Sequence, residues 1–383
     1  MILLLGLMVA AIIPVIAQVV LFGGLPLPRP LGGAMPSLVS AHGGAIGERI
    51  GRLSLEVTGP VHDIALVLGP ADIARQVTEA FHRDREAIVD RIARGQLGLL
   101  WATLPGAVKA QIEGYFARAV PMVIDRAIAE IIEAIEDLVD VPGMLSRYFA
   151  RRHDHLANMV ETVAAPAFRV LRYAFPAVLA LPLVILELAA PASLAPVVGA
   201  ATGFIASLGA MTWMFEPPPA RWRERMPSWM ITPLLPERPM ITGLYADTVA
   251  NDVFKIEAVI DELIAGSGAR ATRAIIERRV AAIFARMPGR PMLSLIIPPS
   301  AMEGMQAAAT AELLALLPRA MAEPVFAQRC AARLYAHVTA RFDALDEARF
   351  LGVQRGILRG ELPLLHALTA GAFLLVGLVA AFP

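Results

Sequence analysis

Histidines are the first residues whose type and spacing could support catalysis or metal binding. His153 and His155 flank Asp154, and Arg151 and Arg152 stand directly before them. Helical residues that are two apart point about 200° away from each other, so this pair cannot bind one metal ion on a shared face. Two adjacent arginines also repel a cation. We therefore expect a solvated polar turn here rather than a metal site.

Two ionisable side chains, Glu187 and His366, fall inside apolar stretches, where such groups are functional candidates by default. Glu187 comes 15 residues after Arg172, and His366 comes seven residues after Arg359. At about 1.5 Å per residue their depths differ by roughly 12 Å, which is too far for a direct pair. We expect two separate groups near opposite membrane surfaces rather than a proton relay.

Motifs for nucleotide binding and nucleophilic catalysis are missing. No glycine-rich loop ends in Lys-Ser or Lys-Thr, and residues 43–47 lack the spacing and preceding strand of a dinucleotide fingerprint. Residues 266–268 are too short for a nucleophile elbow, and Cys330 is the only cysteine. The sequence therefore indicates no cofactor, no metal and no enzymatic activity.

Long uncharged stretches of the sequence predict the helices that must position the residues discussed above. Residues 1–28 and 362–383 carry no charged side chain, and residues 173–215 carry only Glu187. A membrane helix needs about 20 apolar residues, so these stretches supply one, one and two crossings. The chain is 57% hydrophobic with a mean hydropathy of +0.60, which agrees with a membrane protein. We predict an all-α membrane protein with four transmembrane helices.

The predicted crossings alternate with two polar blocks. In chain order the boundaries are transmembrane helix 1–26, block 27–168, transmembrane helix 169–190, transmembrane helix 192–215, block 216–360 and transmembrane helix 361–383. The alternative for the first crossing is a cleaved signal peptide, since residues 15–17 resemble a cleavage site. No Lys or Arg precedes that run, so we expect a retained helix.

Basic residues mark one end of every predicted crossing, and the opposite ends carry no Lys or Arg. Because retained arginines lie on the cytoplasmic side, both termini should face outwards and both blocks should be cytoplasmic. Tryptophans near the end of the third crossing fit the same membrane surface. The predicted interface anchors are Arg169, Arg172, Trp213, Arg221, Trp222, Arg223, Arg225, Arg355 and Arg359.

The chain divides near residue 191 into two halves of the same order: crossing, block, crossing. Residues 170–172 followed by Pro176 match residues 357–359 followed by Pro363, at an offset of 187. Both halves begin outside, so the predicted repeats are parallel rather than inverted. The alternative is chance similarity in a chain rich in Ala, Leu and Pro.

The polar blocks show helical periodicity. Apolar residues recur every three or four positions from Ile124 to Leu138, between Pro121 and Pro142. The spacing recurs over residues 276–287 and again from Met302 to Leu316, before Pro318. This predicts amphipathic helices whose apolar stripes pack within the block, on a partner or on the bilayer surface.

Small residues form one face of the third crossing. Gly199, Gly203 and Ser207 are spaced by four, and Ala210 lies nearby. Such faces let helices approach closely in lipid, so we predict a helix–helix contact within the chain or between subunits. The alternatives are a ligand-lining role and simple compositional bias.

The same segment, from Gly199 to Pro217, resembles the bacterial membrane family called domain of unknown function 445. That family has glycine, three residues, glycine, then Thr-Asn, a small residue and Leu-Phe-x-Pro. Ser207 stands here in place of the Asn and Met214 in place of the Leu, and Leu235 begins a similar Leu-Pro step. The resemblance implies a bacterial inner-membrane protein with helical cytoplasmic blocks, and the family brings no established activity.

Two functions are open at this point. The leading hypothesis is a non-enzymatic envelope scaffold or assembly protein that acts through helix–helix contacts, motivated by the apolar stripes and the small-residue face. The alternative is a carrier for lipid or another apolar molecule, with a groove between the two repeats. The expected partners are the lipid bilayer and, through the small-residue face, a second copy of the chain. The net charge of zero gives no indication of a nucleic-acid partner.

Overall fold

Runs of helix-forming residues, broken mainly at proline and glycine, divide the chain into α-helices. The structure is a computed structural model that describes residues 2–23, 37–189, 192–223, 225–226, 231–287 and 297–381. Of the residues that the structure describes, 88% are helical and none lies in a strand. The predicted all-α class is confirmed.

The helices follow one another along both halves of the chain. Those of the first half are α1 Ile2–Gln18 (continued by a π-helical turn Val19–Gly23), α2 Leu38–Ala41, α3 Gly43–Thr58, α4 Val61–Leu68, α5 Pro70–Leu97, α6 Leu99–Thr103, α7 Gly106–Glu133, α8 Ile135–Leu138, α9 Val141–Arg151 and α10 His153–Ala189. Those of the second half are α11 Ala195–Phe215, α12 Ala220–Arg223, α13 Arg238–Asp247 (continued by a π-helical segment Thr248–Val253), α14 Ile256–Ala265, α15 Ala269–Ala285, α16 Pro299–Met321, α17 Pro324–Asp343, α18 Glu347–Leu358 and α19 Leu362–Ala381.

Local sequence explains several helix boundaries. Gly69 has φ +82°, a conformation that suits glycine, and it ends α4 while Pro70 opens α5. Gly98 ends α5 with φ +53° and ψ −118°, a different conformation that also has a positive φ and so suits glycine. At the start of α18 the Asp346 carboxylate accepts a hydrogen bond of 2.7 Å from the backbone N–H of Arg349.

The prediction that Pro121 and Pro318 bound helices is wrong. Helix α7 runs through Pro121, and α16 runs through Pro318 for three more residues. A proline inside a helix removes one backbone hydrogen bond and favours a kink. Here Val120 and Val123 are buried beside Pro121, and Ala320 and Met321 are buried beyond Pro318. Packing on both sides of each proline outweighs the lost hydrogen bond.

The described chain separates into two compact units that each take segments from both halves. Unit 1 contains Met1–Val57, Pro142–Tyr245 and Arg341–Pro383; unit 2 contains Thr58–Val141 and Ala246–Ala340. The ends of each predicted polar block therefore belong to unit 1, and the middle of each block belongs to unit 2.

Unit 1 holds the helices long and apolar enough to cross a membrane. Such spans occur at Leu4–Gly23, His153–Ala180, Ala195–Phe215 and Leu362–Val379, among the described residues. Helix α1 packs on α10, and α11 packs on α19. The second of these spans belongs to a helix of 37 residues that begins 16 residues before Arg169, so no helix boundary separates the predicted block from the predicted crossing.

Unit 2 is built around a four-helix arrangement of α5, α7, α15 and α16. Helices α5 and α7 pack together, α15 and α16 pack together, and the two pairs meet through α5 with α16 and α7 with α15. The predicted apolar stripes face inwards, as the buried Ile131, Val280 and Leu316 illustrate. Burial of these stripes supplies the core of the unit.

Candidate functional site

The small-residue face of α11 is a contact with α19. Gly199, Gly203 and Ser207 are buried, and a Cβ at Gly203 would lie 2.7 Å from the carbonyl oxygen of Thr369. Ala210, the fourth residue predicted for this face, is only half-buried. On α19, Gly377 similarly meets the start of α11, where its Cβ would lie 2.6 Å from the Cα of Pro196. The backbones of the two helices therefore approach closely at both ends of the contact.

The two ionisable candidates have different surroundings. His366 is half-buried, its Nδ1 hydrogen-bonds the Ser207 hydroxyl, and the ring of Phe204 lies edge-on at 5.7 Å. His366 thus belongs to the α11–α19 contact. The side chain of Glu187 lies outside the described residues. The structure therefore joins His366 to the small-residue face, a connection that no spacing in the sequence indicates.

Most predicted interface anchors are exposed. Arg355 pairs with Glu216 at 2.5 Å, both side chains being half-exposed, and the guanidinium of Arg221 lies 6.0 Å from the ring of Trp222. Trp213 is half-buried, and the side chain of Arg223 lies outside the described residues. The remaining arginines at these ends are exposed: Arg169, Arg172, Arg225 and Arg359.

The side chains of His153, Asp154 and His155 do not converge on a common point. His153 and Asp154 are exposed and 3.7 Å apart, whereas the ring of His155 packs edge-on against Tyr148 at 6.1 Å. Among the described residues, no three His, Cys, Asp or Glu side chains come together as metal ligands.

A buried carboxylate in unit 1 was not foreseen from the sequence. Glu361 is 3% exposed and accepts hydrogen bonds of 2.7 and 2.6 Å from one guanidinium nitrogen of Arg49. The Nε of Arg49 also donates to the carbonyl oxygen of Ile357, at 2.9 Å, and Nδ1 of His42 lies 3.5 Å from Glu361. The pair joins α3 to the turn before α19. Its partners are 312 residues apart, so no local pattern could reveal it.

An apolar cavity of about 110 Å³ lies between the helices of unit 2. Its wall is formed by α5, α6, α7, α15 and α16, so both halves of the chain contribute. Every described side chain that lines it is apolar, apart from the indole N–H of Trp101. Representative lining residues are Trp101, Phe116, Val120, Val280, Phe284 and Met305.

Trp101 is held rigidly in the cavity wall. It is 2% exposed, and its indole nitrogen donates a hydrogen bond of 2.9 Å to the Asp90 carboxylate. This hydrogen bond, helped by the charge of Arg94, lowers the pKa of Asp90. The ammonium group of Lys109 lies 5.5 Å from the centroid of the indole ring. The only polar group of the indole is therefore bonded away from the cavity.

A second and smaller cavity, of about 60 Å³, lies in unit 1. Residues of α3 and α10 line it from the first half, and residues of α11, α13 and α18 line it from the second. Its wall includes polar groups: Gln354 and a hydrogen-bonded pair of hydroxyls, Ser54 and Tyr245. Burial raises the pKa of Tyr245, so this phenol stays neutral at physiological pH.

Comparisons with family models, with curated proteins and with solved structures found no match to this chain. The resemblance of the segment from Gly199 to Pro217 to domain of unknown function 445 stays a prediction. Function must therefore be inferred from the helices and cavities themselves.

Proposed function

We propose that this chain is an integral protein of the bacterial inner membrane that binds a molecule with an apolar chain between its two halves. It would act as a carrier or receptor for lipid or a related apolar compound. The observation that carries the proposal is the cavity of unit 2, because its wall is apolar and both halves build it. Small-molecule sites are typically concave, mostly apolar and formed in advance of binding.

Membrane insertion is supported by the four long apolar helices of unit 1. They leave large apolar side chains exposed, among them Leu4 at 71%, Val178 at 71%, Ile205 at 66% and Leu375 at 61%. In water such exposure would be costly, whereas hydrocarbon is a suitable solvent for it. The arginine distribution then favours cytoplasmic polar blocks and outward-facing termini.

The parallel repeat is supported by equivalent packing in the two halves. The pair α1 and α10 corresponds to α11 and α19, and the pair α5 and α7 corresponds to α15 and α16. Ion pairs follow the same correspondence: Arg91 of α5 pairs with Glu312 of α16 at 2.6 Å, and Arg279 of α15 pairs with Glu130 of α7 at 2.6 Å. With the proposed boundary near residue 191, both proposed repeats contribute residues to the wall of each cavity.

Binding of an apolar chain is favoured over the scaffold hypothesis because the surfaces that motivated a scaffold are occupied inside the chain. The small-residue face of α11 packs on α19, and the apolar stripes of the blocks fill the core of unit 2. Inside unit 2, the apolar surface that these contacts do not cover is the wall of the cavity. Water gains little there, since a buried water needs two to four polar partners.

The wall also suits an irregular apolar ligand. Met287, Met302 and Met305 line the cavity, and methionine side chains adapt their shape at low cost. Aromatic rings from Phe116 and Phe284, whose centroids are 5.6 Å apart, form a firmer side. We expect a ligand whose buried portion is a flexible hydrocarbon chain without polar atoms.

The test is lipid analysis of the protein purified in a mild detergent, by native mass spectrometry and by extraction. We expect an apolar-chain compound bound to the wild type. Ala309→Phe places a ring in the cavity and should lower bound compound about tenfold or more. Ala311→Phe is the matched control, because Ala311 lies exposed on the same helix α16 and does not line the cavity.

Two results would overturn the proposal. One is a wild-type protein that retains no apolar-chain compound and takes up no added oleate. The other is equal retention by Ala309→Phe and Ala311→Phe. A defined oligomer that binds no such compound would restore the scaffold hypothesis.

A further inference from the structure

The turn between α5 and α7 exposes large apolar side chains beside the cavity of unit 2. Residues 95–108, which comprise the end of α5, the helix α6 and the start of α7, are termed the α6 tip. Leu99 is 83% exposed, Leu100 is 51% exposed and Val108 is 38% exposed. A Cβ added at Gly95, Gly98 or Gly106 would meet no atom within 4 Å, so this edge of the tip is open.

The charge pattern of the α6 tip is equally distinctive. No charged residue occurs between Arg94 and Lys109, and both flanking residues are basic. Arg94 is paired with Asp90 at 2.9 Å, and Lys109 lies over the ring of Trp101. Because Asp90 offsets the charge of Arg94, Lys109 is the side chain that gives this edge its basic character, and an apolar edge beside a basic side chain matches the chemistry of a lipid surface with anionic headgroups.

The exposed edge is continuous with the cavity wall. Helix α6 has five residues, and within it Leu99 and Leu100 point outwards while Trp101 is buried in the wall. Leu97 before this helix and Leu104 after it also line the cavity. A single short segment therefore separates the cavity of unit 2 from the surroundings of Leu99.

We propose that the α6 tip inserts Leu99 and Leu100 into a lipid surface and is the passage through which an apolar chain reaches the cavity. This inference rests on the proposed function, since it names the route to the same site. The occupant of the exposed edge is a bilayer, because the site behind it is lined by apolar side chains that suit hydrocarbon and the basic Lys109 flanks the edge. A protein partner on this edge is an outcome that the test separates.

The test uses Trp101 as a reporter within the full chain. The protein contains four tryptophans, so a variant with Trp213, Trp222 and Trp229 changed to Phe leaves Trp101 as the only tryptophan, whose emission is excited selectively at wavelengths that tyrosine does not absorb. This parent is reconstituted in nanodiscs of unlabelled lipid and mixed with vesicles whose lipids carry brominated acyl chains. Bromine quenches tryptophan on contact, and Trp101 lies close to the inserted leucines, so only quenching that persists after the vesicles are removed reports arrival of a chain in the cavity.

The informative variant adds Leu99→Ser and Leu100→Ser to this parent. Removing two exposed leucines weakens insertion, so we expect quenching at least about tenfold slower with the same final extent. The rate in the parent should rise with vesicle concentration, since the tip must contact the donor surface. The control adds Leu66→Ser and Val325→Ser, which change two other exposed apolar residues of unit 2, 50% and 61% exposed.

The outcomes distinguish the two proposals. No quenching in the parent would defeat the proposed function, and the passage with it. Normal quenching with an unchanged rate in Leu99→Ser/Leu100→Ser would overturn the passage alone, and would leave the exposed edge to a protein partner. Equal slowing by the control pair would also overturn it, because the effect would then belong to surface hydrophobicity in general.

Discussion

Gly203 provides a sharp test of how the apolar helices of unit 1 pack. A Cβ at this position would lie 2.7 Å from the Thr369 carbonyl oxygen and 2.9 Å from the Phe373 side chain. Heavy atoms attract best at about 3.5–4.0 Å. The substitution Gly203→Ala should therefore push α11 and α19 apart by about 0.5–1 Å.

The cost follows from the contacts that such a separation weakens. A shift of this size removes a quarter to a half of the dispersion energy of each atom pair, and a fully buried side chain such as Phe373 makes on the order of 40–60 pairs at ~0.1–0.2 kcal/mol each. These limits give about 1–6 kcal/mol, and because only the atom pairs that face α11 are weakened, we take the loss to be the ~1–3 kcal/mol that is typical of overpacking. Alanine returns about 0.5–1 kcal/mol by stiffening the unfolded chain. We expect a net destabilisation of about 1–2 kcal/mol, with a larger effect for Gly203→Leu.

The matched control is Gly209, which lies on the same helix with no atom within 4 Å of its Cβ. Gly209→Ala should be neutral or stabilising by about 0.5–1 kcal/mol. The assay is the free energy of unfolding in mixed micelles, obtained by titration with a denaturing detergent. If Gly203→Ala were as stable as Gly209→Ala, the close approach of α11 and α19 would be refuted.

Three further predictions concern groups outside the candidate membrane spans. Arg49→Met leaves the buried Glu361 carboxylate without its ion-pair partner and should lower the free energy of unfolding by about 3–5 kcal/mol. The double variant Arg49→Met with Glu361→Met should cost less, because no unpaired charge stays buried. Chemical denaturation measures both variants, and a larger cost for the double variant would contradict the pairing. The Arg333 hydrogen bond lowers the pKa of Asp72 below its usual 3.8, so this contact stabilises the fold above about pH 4 and is lost as the pH falls further. Acid unfolding of Asp72→Asn should then depend less steeply on pH, and an unchanged slope would contradict this. Burial raises the pKa of the Cys330 thiol to about 11, so little reactive thiolate is present in the folded protein at pH 8. A maleimide should therefore label Cys330 about a hundredfold faster once the chain is unfolded. Equally fast labelling of the native protein would contradict the burial of this thiol.

Helix type and position were predictable because they depend on local composition and period. The uncharged stretch from residue 362 becomes α19, and the stripe from Ile124 to Leu138 is largely buried as its spacing of three and four requires. The errors at Pro121 and Pro318 share one cause. Proline disfavours a helix interior by about 3 kcal/mol locally, but tertiary packing on either side can exceed that amount.

Partners distant in sequence could not be predicted, because periodicity identifies a face and not what the face meets. The spacing of Gly199 and Gly203 indicated a close contact, yet nothing in it pointed to Phe373. Likewise the ion pair between Arg49 and Glu361 joins residues with no shared motif. The cavity of unit 2 is the extreme case, since it is a property of five helices together and of the space that their side chains leave unfilled.

The volume of this cavity bounds what the proposed ligand would contribute to stability. Cavities that lose their filling atoms cost about 24 cal/mol per Å³, so removal of a ligand that fills about 110 Å³ would cost roughly 2–3 kcal/mol. Val120 and Val280 line the space, and a larger aliphatic residue at either position would fill part of it without adding a polar atom. A bound hydrocarbon chain recovers the lost contacts and also stabilises the folded state by mass action. We therefore expect delipidated protein to unfold at a lower temperature than lipid-loaded protein, and Ala309→Phe to abolish that difference.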